Sequence, residues 1–510
     1  MQKKPWLFVF FKYMFILIGC LVCIISLTFN TFVVMNGLET PIITNISSYH
    51  IILFLFMFLI VIYLQSFLDK IPSKYVLLLC ITIFFCCGMY LVVHTDTYLR
   101  PADPHINVQA ALNMNNGNFK DISYKKYLGW YPFQLYWVTY LRFVFIFTKS
   151  ISFLFFLNLI YLSLSIILFY LISMEIKKSN AIQNNVILLA TFFLPNLFNI
   201  VFVYGNVLGF MLYLSSILFL LKFLKENSKS FMIVSIIFLV FASLIKSNYS
   251  IGIIANLLII LLSNVQVKNK LIYIISVIIL IFSCNFIIGK IYSSNSSQNI
   301  SLNNSGIPKN AWIAMGMQRK NGKYGWYNDY TAKTYIKSGY STRDTKKIAN
   351  RYILYRLNQF SKHPKMMFSF YKNKLISTWA DPLFQSLWNA PLPGWGGRLR
   401  THIMQQIYAL SGESKMYKVI REICRNDIWS IYVGSICQII KFFDLKKIYT
   451  SEFYFTLIAI LFFMGGFSFH FIWETKSQYV WQYTEILIPL AGTAFFNIHE
   501  SLKKWGINND

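Results

Sequence analysis

Acidic side chains are scarce in this sequence: 19 Asp and Glu stand against 47 Lys and Arg in 510 residues, and charged residues make up only 13% of the chain. A water-facing surface normally needs roughly a quarter of residues charged, so this deficit, beside 56% hydrophobic and 18% aromatic residues, excludes a soluble globular enzyme. The same apolar content excludes intrinsic disorder. The eight cysteines do not make a disulfide scaffold. Cys20, Cys23, Cys80, Cys86, Cys87, Cys284 and Cys437 sit in apolar runs, and Cys424 has no evident extracellular mate. Also missing are a GxxxxGK[ST] phosphate loop, an HExxH zinc helix and a DxD pair, which leaves an ATP-driven pump, a zincin protease and a soluble-type sugar-nucleotide transferase without support. No repeat in the helix spacing points to a transporter built from two related halves. The formal charge of +28 must lie between the hydrophobic spans. Anionic partners are therefore expected, namely membrane lipids, phosphates or acidic polymers, and not nucleic acid.

What is present is a series of apolar stretches. Windows of about 20 apolar residues predict some twelve membrane helices, near 8–30, 49–68, 75–94, 151–173, 186–203, 207–224, 231–246, 249–263, 271–289, 428–443, 453–472 and 480–497. The sequence thus reads as an all-α polytopic membrane protein. Its expected parts are N-terminal helices over 1–94, a loop with juxtamembrane helices over 95–150, central helices over 151–289, a mainly helical soluble insert over 290–426 and C-terminal helices over 427–510. Short-loop lysines set the orientation. Lys70 and Lys74, Lys177 and Lys178, Lys222, Lys225 and Lys229, Lys268 and Lys270, Lys446 and Lys447, and Lys503 and Lys504 all fall on one side. The expectation is a multi-pass protein of the cell membrane with both termini cytoplasmic, the 95–150 loop and the insert outside. The apolar run Tyr131–Phe147, interrupted by Arg142, would invert this alternation if it crossed, so it is expected to lie at the interface.

Polar residues in apolar surroundings are the candidates for chemistry. Asp96, Arg100, Asp103 and His105 follow the third helix, where a carboxylate tuned by its surroundings can act as a general base, with Asp103 the favoured one. Both aspartates serve equally well as turn-formers. The segment Trp130-Tyr131-Pro132-Phe133-Gln134 offers aromatic anchors or substrate contacts. Lys246 is a lone lysine in an otherwise uncharged connection and suits a phosphate, although snorkelling explains it too. In Trp473-Glu474-Thr475-Lys476-Ser477-Gln478-Tyr479, Glu474 and Lys476 either pair with each other or join the same site.

Taken together, the acidic first loop, the Tyr131-Pro132-Phe133-Gln134 re-entry, the lysine ending a mid-chain helix, the late insert and the Trp473–Tyr479 turn resemble the GT-C glycosyltransferases. These are polyprenyl-phosphate-sugar dependent membrane enzymes akin to protein O-mannosyltransferases and aminoarabinose transferases. Asp103-Pro104-His105, Gly117-Asn118-Phe119, Ala311-Trp312, Gly325-Trp326-Tyr327-Asn328-Asp329 and Trp379-Ala380-Asp381-Pro382 resemble Gram-positive members that modify wall polysaccharides. The likeness runs from about Tyr90 to the end, with the first two helices an addition to the simplest family layout. It implies a GT-C-type bundle with an active site on the extracellular face. It also implies transfer of a sugar from undecaprenyl phosphate to a cell-envelope glycopolymer or glycolipid, Asp103 (or Asp96) as base, and Lys246, Lys476 and Arg100 on the donor phosphate. His105, Tyr131, Gln134, Asn206, Glu474, Tyr479, Trp326 and Asp329 are the implied substrate contacts, and the basic insert suits an anionic acceptor. Asn206 stands where an aspartate is common, and Gln478 where arginine is. No cofactor or metal ligand is expected, with a divalent cation left open. The rival readings are a flippase for lipid-linked saccharides and a polysaccharide polymerase or ligase.

Overall fold

A computed structural model describes residues 5–35, 39–100, 102–295, 305–393, 396–409, 414–443 and 448–507. The chain is a mostly helical membrane protein. Among the described residues seven helices are long and apolar enough to cross a membrane: Trp6–Thr28, Ser48–Lys70, Ser73–His94, Ile151–Ile176, Asn206–Glu226, Val267–Ser294 and Ser451–Ile472. Two shorter apolar helices, Lys229–Ile245 and Ser247–Leu262, accompany them.

These match nine of the twelve expected stretches, and the other three are built differently. The run expected at 186–203 is split into Asn180–Phe192 and the short Leu194–Asn199, with Pro195 in the first turn of the second piece. Buried amides of the first piece tie neighbouring helices together: Asn185 Nδ2, just before the expected run, donates to Gln65 Oε1 at 2.8 Å and to Gly492 O at 3.0 Å. The run expected at 428–443 is the second half of a helix, Lys415–Cys437, that begins in the insert and carries Arg421, Glu422, Arg425 and Asp427. It therefore passes without a break through the expected boundary at 426–427. The last run is divided into Trp481–Glu485 and Ile488–Ile507.

The fold is also not purely helical. Phe29–Met35 and Glu39–Asn45 form an antiparallel hairpin in the register Phe29↔Asn45 to Met35↔Glu39, and Arg319–Lys320 pairs with Lys323–Tyr324. Thr31, Phe32, Val33, Val34, Thr40, Ile42 and Ile43 supply the β-branched and aromatic side chains that a strand favours. Thr31 docks the hairpin on helix Pro364–Trp379 of the insert: its N–H donates to Ala380 O at 2.9 Å and its hydroxyl to Ile376 O at 3.0 Å.

The loop after Ser73–His94 holds helix Asp103–Asn115, a short turn of helix Tyr127–Trp130, and Leu135–Phe147. At 13 residues the last is about 20 Å long, short of a bilayer core. Arg142, which interrupts it, lies over the rings of Phe119 and Tyr292 at 5.3 and 5.6 Å. The insert is mainly helical, with Asn310–Gly316, Tyr330–Lys337, Thr342–Lys362, Pro364–Trp379 and His402–Ile407.

The first helix closes against the end of the chain. Phe8 and Phe15 meet Phe453 and Phe463 at ring separations of 5.0 and 5.6 Å, and Trp429 Nε1 donates to Ser26 O at 3.0 Å. Deeper in, Tyr213, Tyr249, Phe462 and Tyr483 pack as an aromatic cluster. A Cβ on Gly466 would lie 2.4 Å from Tyr483 Cγ, the rigid root of that ring. Gly466→Ala is expected to cost about 1–3 kcal/mol by overpacking, read as a lowered unfolding temperature of the purified protein in detergent. An unchanged transition would show that this contact can relax.

Candidate functional site

Asp103 opens its helix directly before Pro104, which fits the first turn because it brings no N–H to satisfy. Its Oδ2 accepts a 2.7 Å hydrogen bond from the Tyr204 hydroxyl, which in turn accepts one from Gln134 Nε2 at 2.7 Å. Tyr204 is presented by a tight connection ending at Gly205, whose φ of +77° and whose approach to Ile245 O, 3.2 Å from a would-be Cβ, both call for glycine. Lys246, just past helix Lys229–Ile245, places its ammonium 3.4 Å from the centre of the Tyr204 ring. One buried tyrosine thus joins a carboxylate to a cation across more than a hundred residues. Burial pushes the Lys246 ammonium down to about 7, while Asp103 and Glu474 pull it up.

The Trp473–Tyr479 turn forms the second side, and the insert clasps it. Lys374, buried in helix Pro364–Trp379, donates to Gly316 O at 2.8 Å and Trp473 O at 2.7 Å. Thr475 N–H donates to Gly325 O at 2.9 Å and the Ser477 hydroxyl to Asp381 Oδ2 at 2.7 Å. Asp381 also accepts from the N–H groups of Leu383 and Gln385 at 3.0 and 2.9 Å. A Cβ on Gly316 would stand 2.5 Å from the Trp473 carbonyl carbon, so only glycine lets the turn close there.

Inside that turn Glu474 is 6% exposed, and its Oε1 has no hydrogen-bond partner among the described residues. Burial, reinforced by Glu39 and Asp103 and opposed by Lys476 and Lys374, pushes its carboxyl up to about 7. Trp312 stacks on Trp473 at 6.2 Å, and Tyr131 lies 5.9 Å from Trp312, an aromatic wall beside the acid.

Lys476 does not pair with Glu474. Its Nζ is 2.6 Å from Glu39 Oε2, on the hairpin, and Glu39 Oε1 accepts from Gln385 Nε2 at 3.0 Å. Arg100 lies over the Trp388 ring at 5.1 Å. Burial lowers its pKa, while the carboxylates of Glu39 and Asp103 raise it.

The remaining sequence candidates divide. Tyr131 and Tyr479 border the cluster, their hydroxyls pushed up by burial and by the field of Asp103 and Glu474. Asn206 is buried beside Tyr204, its Oδ1 without a partner among the described residues. Asp329 stands at the rim, exposed, 3.5 Å from Lys333. His105 lies against Tyr98, ring centres 6.5 Å apart.

Two candidates lie elsewhere. Asp96 accepts from the N–H groups of Tyr98 and Arg398 at 3.3 and 3.0 Å and lies 3.8 Å from Arg400, fastening the 396–400 segment. Trp326 is 1% exposed and donates to the Ser377 hydroxyl at 3.1 Å, so it packs the insert and presents no ring face for a ligand.

Sequence reasoning missed Glu39, Lys374 and the coupling role of Tyr204. Glu39 carried a usable sign, since it is the one charged residue in the 37–48 connection. Among the described residues no three His, Cys, Asp or Glu side chains are grouped to hold a metal. Compared with protein-family models and with curated proteins, the chain matches none.

Glu474 yields a pH test. Its carboxyl titrates near 4.5 when unfolded and about 7 when folded. Its contribution to stability is therefore complete below pH 4.5 and is lost as pH rises through 7. Glu474→Gln does not titrate, so the variant is expected to gain stability over the unaltered chain between pH 5 and 8, by on the order of 2 kcal/mol. Parallel curves of unfolding temperature against pH would remove the neutral carboxyl.

Proposed function

We propose that this protein is a GT-C-type membrane glycosyltransferase that moves a sugar from undecaprenyl phosphate to a hydroxyl of a cell-envelope glycopolymer or glycolipid. The observation that carries the reading is the Asp103–Tyr204–Lys246 arrangement: a carboxylate 2.7 Å from the hydroxyl of one buried tyrosine and a half-desolvated ammonium 3.4 Å from the centre of its ring. Inverting transfer from a lipid phosphate needs these two functions close together and not in contact.

In this reading the acceptor hydroxyl gives its proton to Asp103 as its oxygen attacks the anomeric carbon. The bond from that carbon to the phosphate oxygen breaks, its electron pair stays with the lipid phosphate, and the anomeric centre inverts. Tyr204 and Gln134 hold the Asp103 carboxylate in place. Lys246, together with Lys476 and Arg100, stabilises the charge that grows on the departing phosphate. The aromatic wall of Tyr131, Trp312 and Trp473 suits the face of a sugar ring. The lipid carrier is the leaving group, so no nucleotide is consumed. The site is proposed to face the cell exterior, with both chain termini in the cytoplasm, as the lysine distribution indicates.

Purified protein supplied with defined polyprenyl-monophosphate sugars and envelope acceptors is expected to release the free carrier. Asp103→Asn is expected to slow release about 10²–10⁴-fold, the usual worth of a general base. Release that ignores this substitution would remove the base assignment. Turnover only with a lipid-diphosphate oligosaccharide would favour a polymerase or ligase, and movement of an intact lipid-linked saccharide without carrier release would favour a flippase.

A further inference from the structure

Lys246 and Lys476 answer to different carboxylates. Lys246 reaches Asp103 through Tyr204, whereas Lys476 is held by Glu39 at 2.6 Å, both side chains being 12% exposed. Lys323 and Arg100 lie in the field of the same Glu39 carboxylate, and Lys323 also in that of Lys476, Arg100 and Asp329. Tyr327 closes one side, its ring centre 5.8 Å from the Lys476 ammonium. Among the described residues of the neighbourhood Arg100, Lys246, Lys323, Lys374 and Lys476 face Asp103, Glu39 and Glu474, with Asp329 shared with Lys333 and Asp381 in the field of Arg421. Cations exceed anions, in a place where like charges repel more strongly than in water.

Glu39 is suited to leave. It is the first residue of its strand, paired to Met35 as the last pair of the ladder, where the two strands connect. The hairpin is attached to the insert by Thr31, on the other strand, and by the bond from Gln385 Nε2 to Glu39 Oε1. A rotation of the Glu39 side chain gives up the Gln385 bond and frees Lys476, while Thr31 keeps the hairpin in place. A carboxylate and a phosphoryl group present the same kind of charged oxygen acceptors to an ammonium or guanidinium group. Breaking such a buried pair without replacement leaves an uncompensated charge, so exchange for another anion is the low-cost route.

We propose that Lys476, Arg100 and Lys323 form the phosphoryl-binding arm of the site, and that Glu39 is its resident competitor, a carboxylate of the chain itself that a phosphate must displace. The inference takes the phosphoryl class of ligand from the transferase reading and deepens it. The hairpin thereby sets how strong an anion has to be to enter.

The test reads binding without turnover. Titration of the full-length protein in detergent with a short isoprenyl monophosphate is expected to show about tenfold tighter binding to Glu39→Gln than to the unaltered chain, and loss of that gain in Glu39→Gln/Lys476→Met. Equal or weaker binding to Glu39→Gln would overturn the proposal. On the unaltered chain, a water-soluble carbodiimide should join Lys476 to Glu39 as a zero-length cross-link found by mass spectrometry. Saturating isoprenyl monophosphate or a glycerol-phosphate oligomer is expected to suppress it, the more effective of the two identifying donor or acceptor as the source of the phosphate. A cross-link yield unmoved by either would overturn the proposal even if the variants do not fold. A protein that binds phosphate in this way yet releases no carrier with any sugar donor would retain the competitor and lose the transferase.

Discussion

A charged side chain withdrawn from water must be given a partner by the protein, and most of what is built around the charged cluster meets that requirement. Three lysines meet it in three ways. Lys374 is turned into a strut by two backbone carbonyls. Lys476 takes the carboxylate of Glu39. Lys246 settles over the face of Tyr204, close enough to Asp103 and Glu474 to feel both. Lys374 fixes structure, and the other two are the cations that the proposed reaction assigns to a phosphate. The difference lies in what opposes each charge: carbonyl oxygens belonging to a rigid turn cannot be exchanged, whereas a side-chain carboxylate or an aromatic ring can give way.

The insert is the element that makes this geometry reproducible. Asp381, Lys374, Gly316 and Gly325 together fix the Trp473–Tyr479 turn, so the last part of the chain is shaped by residues a hundred positions earlier. The same insert holds the N-terminal hairpin through Thr31 and, by Gln385, the carboxylate of Glu39. The hairpin between the two opening helices therefore contributes a side chain to the charged cluster. Aromatic contacts of Phe8 and Phe15 with the helix Ser451–Ile472 secure that arrangement from the other end.

Hydropathy made the long helices legible because each must satisfy its own backbone hydrogen bonds in an apolar medium, a local property of about 20 residues. It was less decisive where amides or charges that serve the interior border an apolar run, as Gln183, Asn184 and Asn185 do before 186–203, and Arg425 and Asp427 before 428–443. The hairpin escaped notice because Val33-Val34 and Ile42-Ile43 fall in the short connection that the apolar windows leave between the first two helices. Within the charged cluster, Asp103, Lys246 and Glu474 were legible as polar residues stranded beside apolar spans. Trp326 was not legible as a buried packing residue, since a tryptophan in a polar insert has the same one-letter context whether it stacks on a ligand or on its own fold.

By itself, the sequence determined that this chain is a polytopic, mostly helical membrane protein with its positive charge between the spans, because charge density and hydrophobic run length are sums over neighbours. It also marked the stretches from which polar side chains would be spent. Which of them meet was decided only by the tertiary structure. Lys476 and Glu39 stand 437 positions apart, and their pairing follows from how a hairpin docks on the insert and how the insert grips a turn. A contact of that kind has no local cause, and so leaves no local trace in the order of residues.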